Sequence, residues 1–445
     1  MQSNPQPIAH NQYRHLFVII CLVLFPWRLL ALSEIRDTEI ENVLSDFLRP
    51  IAEAAKIDTK RLRIRLIADD SFNAFVMGGS DIFVFSGLIT AVDNPAEIQA
   101  VVAHEIGHID LSHMVTMRVQ QRNEMARMLI MTALGAGMAA FNPQAGIGMI
   151  TGASGMGQQG MMAFSREEER AADEYAVKLM HEANVPLSAL LSVFQKMQNS
   201  YRESRTNPHN ISHPLTEERI RTIRLHIADA KDKAEPYERL TMIQAKLVGY
   251  MDTPMRIITL YPESDKSDAA LYARAISRMR HGNFDLARTG ASTLSRRNPS
   301  NPYFQELIGD IEFQSGNFNA SVRAYEESLK HIRLAQGLDR QVAQTPQIEL
   351  ALARALAARG NDGDAERATT LARTALLAEH TPMAFLVLAK SDTVRHDYYM
   401  AEFHLMRRNM PEALAFAKKA IQSLPKDSPE HIKAQDIIDT AKRTR

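Results

Sequence analysis

The segment His104-Glu105-Ile106-Gly107-His108 constrains the fold of this chain most, because it puts three polar side chains into an otherwise apolar stretch. The surrounding apolar residues recur at helical spacing, which predicts a helix with one buried face. They are Ile98, Val101, Val102, Ile106 and Ile109. Side chains four residues apart share a helix face, so both imidazoles can bind one tetrahedral zinc ion while Glu105 accepts a proton from a bound water. Burying these groups without a metal would cost several kcal/mol, so the pattern predicts a zinc site in a folded domain.

A third metal ligand has to come from a later segment, and SREEERAAD at 165–173 offers one. A continuation of the motif to a third histidine is excluded, because Leu111 and Met114 stand where that pattern needs glycine and histidine. Glu169 and Asp173 are four residues apart on a strongly helical segment. Glu169 completes a two-His, one-Glu site with an open fourth position, as in catalytic zinc sites, and Asp173 is expected to orient a ligand imidazole or to donate a proton. A solvated acidic helix face is the alternative interpretation.

The composition limits the other classes of function. The chain has 445 residues, 52 of them basic and 52 acidic, and it contains one cysteine. A single cysteine excludes a disulfide framework, a cysteine-based zinc ribbon and an iron–sulfur cluster. The zero formal charge argues against a general nucleic-acid binder, because phosphates require a basic surface. The length predicts two or three domains, each large enough to bury its own core.

Residues 1–31 are predicted to be a cleavable export signal. Arg14 and His15 precede ten apolar residues at 16–25, a run that is too short to span a bilayer and is typical of a signal peptide. Ala31 offers a cleavage point. Removal of this segment takes away the cysteine, which suits an oxidising compartment and indicates the bacterial periplasm. An uncleaved membrane anchor is the alternative.

The mature chain is predicted to be mostly α-helical and to have two domains. Residues 32–253 form the first, in which helices surround a small antiparallel sheet over 62–92 with a turn at Gly78-Gly79. Residues 254–267 have the composition of a linker, and 268–445 form the second domain.

The second domain is predicted to be a helical solenoid. Gly282-Asn283-Phe284 recurs 34 residues later as Gly316-Asn317-Phe318, and 34 residues is the period of tetratricopeptide repeats. The small, tyrosine and proline positions of that pattern are filled by Ala275, Ala287, Pro299, Gly309, Tyr325, Ala401, Ala413, Ala420 and Pro425. One repeat cannot bury its own apolar face, so four stacked units are expected. Separate helical hairpins are the alternative.

Residues 128–165 carry no charged side chain and contain eight glycines and seven methionines. Such adaptable residues between the two metal-binding helices favour a mobile lid. A peripheral contact with a membrane surface and burial against the repeats remain alternatives for this segment.

The sequence resembles the M48 zinc metallopeptidases, and within them the bacterial group of β-barrel assembly-enhancing proteases. The motifs that carry the resemblance are NAFVMGG at 73–79, VVAHEIGH at 101–108, SREEERAAD at 165–173 and SHPLTEERI at 212–220. It implies a gluzincin-type peptidase domain followed by tetratricopeptide repeats, with one zinc ion per chain on His104, His108 and Glu169. It also implies that Glu105 is the base and Asp173 a proton donor. His213 is implied to be a regulatory fourth ligand, although sequence alone indicates only a turn before a helix capped by Thr216.

These features predict a periplasmic zinc endopeptidase. Peptide substrates are expected to add as a strand along the edge formed by Asn73, Ala74 and Phe75, which would give broad specificity for unfolded or misassembled proteins. The resemblance implies that the repeats contact the outer-membrane β-barrel assembly machinery and have a chaperone-like role. The alternative is a repeat-based chaperone or scaffold whose zinc site is masked.

Overall fold

The computed structural model describes residues 33–58, 63–77, 81–111, 166–204, 215–227, 237–335, 345–378 and 380–443. The predictions for the export signal, for the Gly78-Gly79 turn, for 128–165 and for His213 lie outside these residues. The described part of the chain is mostly helical and contains one small sheet, so the predicted fold class is confirmed. None of its helices has both the length and the apolarity that crossing a bilayer requires.

Short strands near the beginning of the described chain precede a long series of helices. The strands are β1 (Glu34–Ile35), β2 (Arg63–Ile67), β3 (Ala74–Met77) and β4 (Asp81–Phe85). The helices up to residue 260 are α1 (Thr38–Ala54), α2 (Ser86–Ala91), α3 (Pro95–Asp110), α4 (166–182), α5 (Ser188–Ser204), α6 (Glu217–Ile227), α7 (Glu238–Met251) and α8 (Pro254–Leu260). The remaining helices are α9 (Asp268–Arg280), α10 (Phe284–Arg297), α11 (Pro302–Gln314), α12 (Phe318–Ala335), α13 (Pro346–Arg359), α14 (Asp364–Ala378), α15 (Pro382–Ser391), α16 (His396–Met406), α17 (Met410–Ser423) and α18 (Pro429–Arg443).

The sheet is mixed, so the prediction of a purely antiparallel sheet is wrong. Its strand order is β1-β2-β4-β3. Strand β4 pairs antiparallel with β3 and parallel with β2. Alternation of apolar and polar residues predicts a strand but not its neighbour in the sheet. Strand β3 lies on the far side of β4 and runs in the opposite direction, so β4 runs in the same direction as β2. Strand β3 therefore forms one edge of the sheet among the described residues.

Contacts divide the chain into two units. The first contains the four strands, helix α2, α3 from Glu97 onward, and helices α4 to α6. The second contains α1 and helices α7 to α18. Helix α1 precedes most of the sheet in sequence and yet belongs by its contacts to the second unit. The segment 254–267, expected as a linker, includes helix α8.

The repeated Gly-Asn-Phe sequence forms the same turn twice. After α9, the N–H of Gly282 bonds to the carbonyl of Met279 and the N–H of Asn283 to that of Arg278. After α11, Gly316 and Asn317 make the equivalent bonds to Phe313 and Glu312. Both glycines have positive φ, at 77° and 83°, which glycine adopts without strain at a helix end. The 34-residue period is thus a recurring helix–turn–helix unit.

Small residues bring the paired repeat helices close together. Ala275, Ala287, Ala401, Ala413 and Ala420 are all fully buried. At Gly309 an added Cβ would lie 2.6 Å from the ring of Tyr325, so that tyrosine packs directly on the glycine. The helices could not approach this closely with larger residues, because protein cores are close-packed.

Helix α1 is held in the second unit by a buried lysine. The Nζ of Lys246 on α7 lies 2.8 Å from Asp37 Oδ2, 3.1 Å from Glu39 Oε2 and 3.3 Å from Glu306 Oε2. The Tyr272 hydroxyl donates to Glu39 Oε2 at 2.7 Å. We call Asp37, Glu39, Lys246 and Glu306 the lysine cluster. An ion pair this deeply buried is stable only when each of its charged groups has a partner. The cluster therefore fixes the first turn of α1 in place.

Candidate metal centre

A glycine allows the two helices of the site to meet. Gly107 lies in α3, where an added Cβ would be 3.1 Å from both Cα and O of Ala172 in α4. The backbones therefore approach at the Gly107–Ala172 contact. Ala172 lies three residues after Glu169, so this contact also brings the Glu169 turn of α4 next to the histidines of α3.

The three predicted metal ligands converge. The Nε2 atoms of His104 and His108 are 3.1 Å apart. Oxygens of Glu169 lie 3.4 Å from each of these nitrogens. Tetrahedral zinc with ligand bonds of about 2.0–2.1 Å places its donor atoms about 3.3 Å from one another. The spacing of the three donors thus fits a small divalent cation.

The site is largely buried, and a carboxylate contacts the His104 imidazole on the side away from Glu169. His104, Glu169 and Asp173 are buried, and His108 is half-buried. The Nδ1 of His104 lies 2.9 Å from Oδ1 of Asp173, on the side of the ring opposite Nε2. A carboxylate in this position fixes the orientation of a metal-binding imidazole and makes it a better ligand.

Arg219 completes the polar network; it lies in the motif at 212–220 but was not among the predicted site residues. Its Nε and Nη2 donate to the two carboxylate oxygens of Asp173 at 2.6 and 2.8 Å. Its Nη1 lies 2.8 Å from Oε2 of Glu169. The guanidinium also covers the Phe194 ring at 4.9 Å. Bidentate contact with one carboxylate and a single contact with another holds both in place.

The spacing of residues in α6 could have indicated that Arg219 is buried. Arg219 and Ile223 are four residues apart and are the buried residues of this helix. An arginine on the apolar stripe of a helix needs a buried partner. The predicted cap of α6 is present, since the N–H of Arg219 donates to Oγ1 of Thr216 at 3.3 Å.

Family models match the two parts of the chain that contain these features. Residues 35–227 match Peptidase family M48, and residues 272–339 match a tetratricopeptide repeat. The chain carries an M48 peptidase domain followed by tetratricopeptide repeats. The resemblance stated from the motifs is confirmed.

Curated relatives of the M48 domain include several named proteases. The β-barrel assembly-enhancing protease of Escherichia coli (strain K12) is 27% identical over 293 residues, which cover 62% of this chain and 58% of that protein. Metalloprotease LoiP of the same strain is 30% identical over 160 residues, or 34% of this chain and 57% of that protein. The mitochondrial metalloendopeptidase OMA1 of Schizosaccharomyces pombe is 24% identical over 196 residues, or 43% of this chain and 54% of that protein. This chain thus spans less than two thirds of the length of each of these relatives.

The electrostatics of the M48 site favour a cation at the imidazoles. Burial lowers the pKa of His104, but its contacts with Asp173 and Glu169 outweigh burial and raise that pKa to about 10. Burial raises the pKa of Asp173, whereas Arg219 and His104 lower it by more, so the net shift is downward. Asp173 is therefore an ionised carboxylate with both oxygens engaged.

The amino-terminal end of α3 in the M48 domain is anchored by Glu97. Its carboxylate accepts from Ser192 Oγ at 2.8 Å and from the Asp93 N–H at 3.0 Å. Lys196 Nζ lies 3.5 Å from the second of these oxygens. Because Ser192 and Lys196 belong to α5, helix α3 is fixed to α5 at one end and packs on α4 near the other.

The structure places the remaining predicted site residues on α3 and the sheet edge. Glu105 lies between His104 and His108 in sequence and is 8% exposed. Ala74 and Phe75 are in edge strand β3, and the Asn73 carbonyl accepts from the Phe85 N–H at 3.1 Å. Phe75 stacks on Phe83 of β4 with ring centroids 4.5 Å apart, which keeps the edge strand in register.

Proposed function

We propose that the chain is a zinc-dependent endopeptidase that hydrolyses peptide bonds of unfolded or misassembled proteins. The observation that carries the proposal is the convergence of His104, His108 and Glu169 at separations of 3.1 to 3.4 Å. Two imidazoles and one carboxylate leave a fourth position open, which distinguishes catalytic from structural zinc sites. The match to peptidase family M48 supports the same activity.

The residues of the site divide the chemistry between them. A bound zinc ion supplies a Lewis acid and lowers the pKa of a coordinated water to about 7. Glu105 takes the proton from the attacking water and passes it to the leaving amine. Asp173 keeps Nε2 of His104 directed at the metal position. Arg219 holds Asp173 and Glu169 and offsets part of their charge.

Substrate binding is proposed to use strand β3. An extended peptide can add to a free sheet edge through main-chain hydrogen bonds, with little dependence on its side chains. The position of β3 at the edge of the described sheet supports this interpretation. Unfolded or misassembled chains offer extended backbone, whereas folded proteins keep it paired.

The proposed setting is the bacterial periplasm, at the outer membrane. The predicted export signal and the cysteine-free mature chain support the location. The name of the Escherichia coli relative supports a role in β-barrel assembly. Repeat domains present extended surfaces to protein partners, so the assembly machinery and its misassembled clients are the proposed partners, with a chaperone-like contribution from the repeats.

The test combines metal content with hydrolysis of an unfolded protein. Elemental analysis of the purified full chain should find about one zinc per chain, and the H104A variant should have none. Casein hydrolysis by E105Q should fall about 10²–10⁴-fold while its zinc content stays unchanged. E174Q is the matched control, because Glu174 is an exposed residue of α4. Full activity of E105Q would overturn the mechanism, and a protein without metal would favour the scaffold alternative.

A further inference from the structure

Helix α5 places a phenyl ring against the arginine of the M48 site. Phe194 is 2% exposed, and Arg219 is 5% exposed. The guanidinium carbon of Arg219 lies over the Phe194 ring, 4.9 Å from its centre. The attraction between a cation and an aromatic ring is strongest where both groups are removed from water. Burial of both residues therefore makes this contact a strong one.

The ring holds the guanidinium without competing for its donors. Arg219 donates through Nε and Nη2 to Asp173, and its Nη1 lies 2.8 Å from Oε2 of Glu169. A phenyl ring carries no lone pair, so Phe194 leaves these donors to the carboxylates. An arginine side chain loses much rotamer freedom when it is fixed in one place. The contact with Phe194 offsets part of that cost.

The place of the guanidinium matters to two of the three proposed metal ligands. Glu169 contacts Arg219 directly. His104 is reached through Asp173, whose Oδ1 lies 2.9 Å from Nδ1 of the imidazole. Groups that orient metal ligands typically change metal affinity about 10–100-fold. A ring that fixes Arg219 therefore acts on metal affinity through the arginine.

The helix that carries Phe194 is itself fixed to the region that leads into α3. Ser192 donates to Oε1 of Glu97 at 2.8 Å. Lys196 donates to the carbonyl of Ala91 at 2.7 Å and lies 3.5 Å from Oε2 of Glu97. Ser192 precedes the phenylalanine and Lys196 follows it, so α5 is held on both sides of the ring. The ring therefore occupies a fixed place relative to α3.

We propose that Phe194 is a positioning residue of the metal site, which acts through Arg219 on the orientation of two metal ligands. One is Glu169, which Arg219 contacts directly. The other is His104, whose imidazole Arg219 reaches through Asp173. This role rests on the proposed function, because it requires that the site binds zinc. A side chain that only filled space would affect the stability of the fold and leave the zinc affinity unchanged.

Zinc affinity of the full chain, measured by competition with a chelator, tests this role. F194L keeps an apolar side chain but removes the ring, and we expect it to weaken zinc binding about 3–10-fold, less than the loss of an orienting group itself. F194Y keeps the ring and should bind zinc within about twofold of the parent protein. F304L is the matched control, because Phe304 is also 2% exposed and its ring packs on Tyr272. This control should lose stability and keep the zinc affinity of the parent.

A double-mutant cycle shows whether Phe194 acts through Arg219. If it does, F194L should weaken zinc binding no further when R219M is already present. F194M fills similar space with a flexible side chain and replaces F194L if that variant does not fold. Losses that multiply in the double variant, or parent-like zinc binding by folded F194L, would overturn this role alone. A parent protein that binds no zinc would overturn the proposed function as well.

Discussion

The two units of this protein each bury a group of charges, and the groups differ in what stands at their centre. In the lysine cluster, three carboxyl groups surround the ammonium of Lys246, which is 4% exposed. In the M48 site, two imidazoles and the carboxylate of Glu169 converge, and Arg219 contacts the carboxylates of Glu169 and Asp173. A cluster centred on a lysine of the chain itself is structural, whereas converging imidazole and carboxylate donors can bind a metal ion.

The comparison predicts that the lysine cluster affects the stability of the protein but not its metal binding. Replacing Lys246 with methionine leaves Asp37, Glu39 and Glu306 without their cation. We expect a loss of about 3–5 kcal/mol in the free energy of unfolding, measured by urea titration, with an unchanged zinc content in the folded protein. K418M is the matched control, because Lys418 is exposed on α17. Equal stability of the two variants would contradict a structural role.

Arg219 should instead control metal affinity. R219M frees the carboxylates of Asp173 and Glu169, so Glu169 and the His104 imidazole that Asp173 contacts both lose their fixed orientation. Groups that orient metal ligands typically contribute about 10–100-fold to affinity, and we expect zinc competition with a chelator to show a loss of this size. R221Q is the control, since Arg221 is the exposed arginine two residues along α6. If both variants bind zinc equally, Arg219 has no positioning role.

Substitution of Gly107 by alanine tests how closely α3 and α4 must approach each other. Alanine is the better helix former by about 1 kcal/mol, so in an open position G107A would stabilise the helix. In this helix the new Cβ meets the Ala172 backbone at 3.1 Å and must push α4 away. We expect a net destabilisation of about 1–3 kcal/mol together with weaker zinc binding. A thermal unfolding scan with and without zinc measures both, and a higher melting temperature would contradict the close contact.

The last prediction is a pH dependence of stability that arises at Glu306 of the lysine cluster. Burial, partly offset by Lys246, raises the pKa of Glu306 from 4.5 to about 8. The folded state therefore holds a proton that the unfolded state releases, and this contribution to stability is lost as the pH rises from about 4.5 through 8. The free energy of unfolding should fall more steeply over this range in the parent protein than in E306Q. Identical slopes would show that Glu306 ionises normally.

The proposed metal ligands could be predicted from sequence because each lies in a local pattern. His104 and His108 share one helical turn, and Glu169 was selected by the aspartate four residues later. The repeat turns could be predicted for the same reason. A positive φ favours glycine, and the glycines recur at a fixed period. Local spacing specifies both features, and the structure places them accordingly.

The parts that sequence did not predict depend on distant contacts. Lys246 and Arg219 are single charged residues in helices, and such residues are usually solvated. Their partners lie far away in sequence; Arg219 and Asp173 are 46 residues apart. The parallel pairing of β2 with β4 was missed because alternation within a strand carries no information about its neighbour.

Helix α1 has a consequence for the order in which the chain folds. Glu39 meets Tyr272, which is 233 residues further along the chain, and Thr38 meets Gln347 after 309 residues. A ribosome makes about 5–20 residues per second, so α1 leaves it many seconds before its partners exist. The apolar face of α1 stays uncovered while the whole peptidase domain is synthesised. Helix α1 therefore needs protection until the repeats are synthesised, and truncation of those repeats would leave its apolar face exposed.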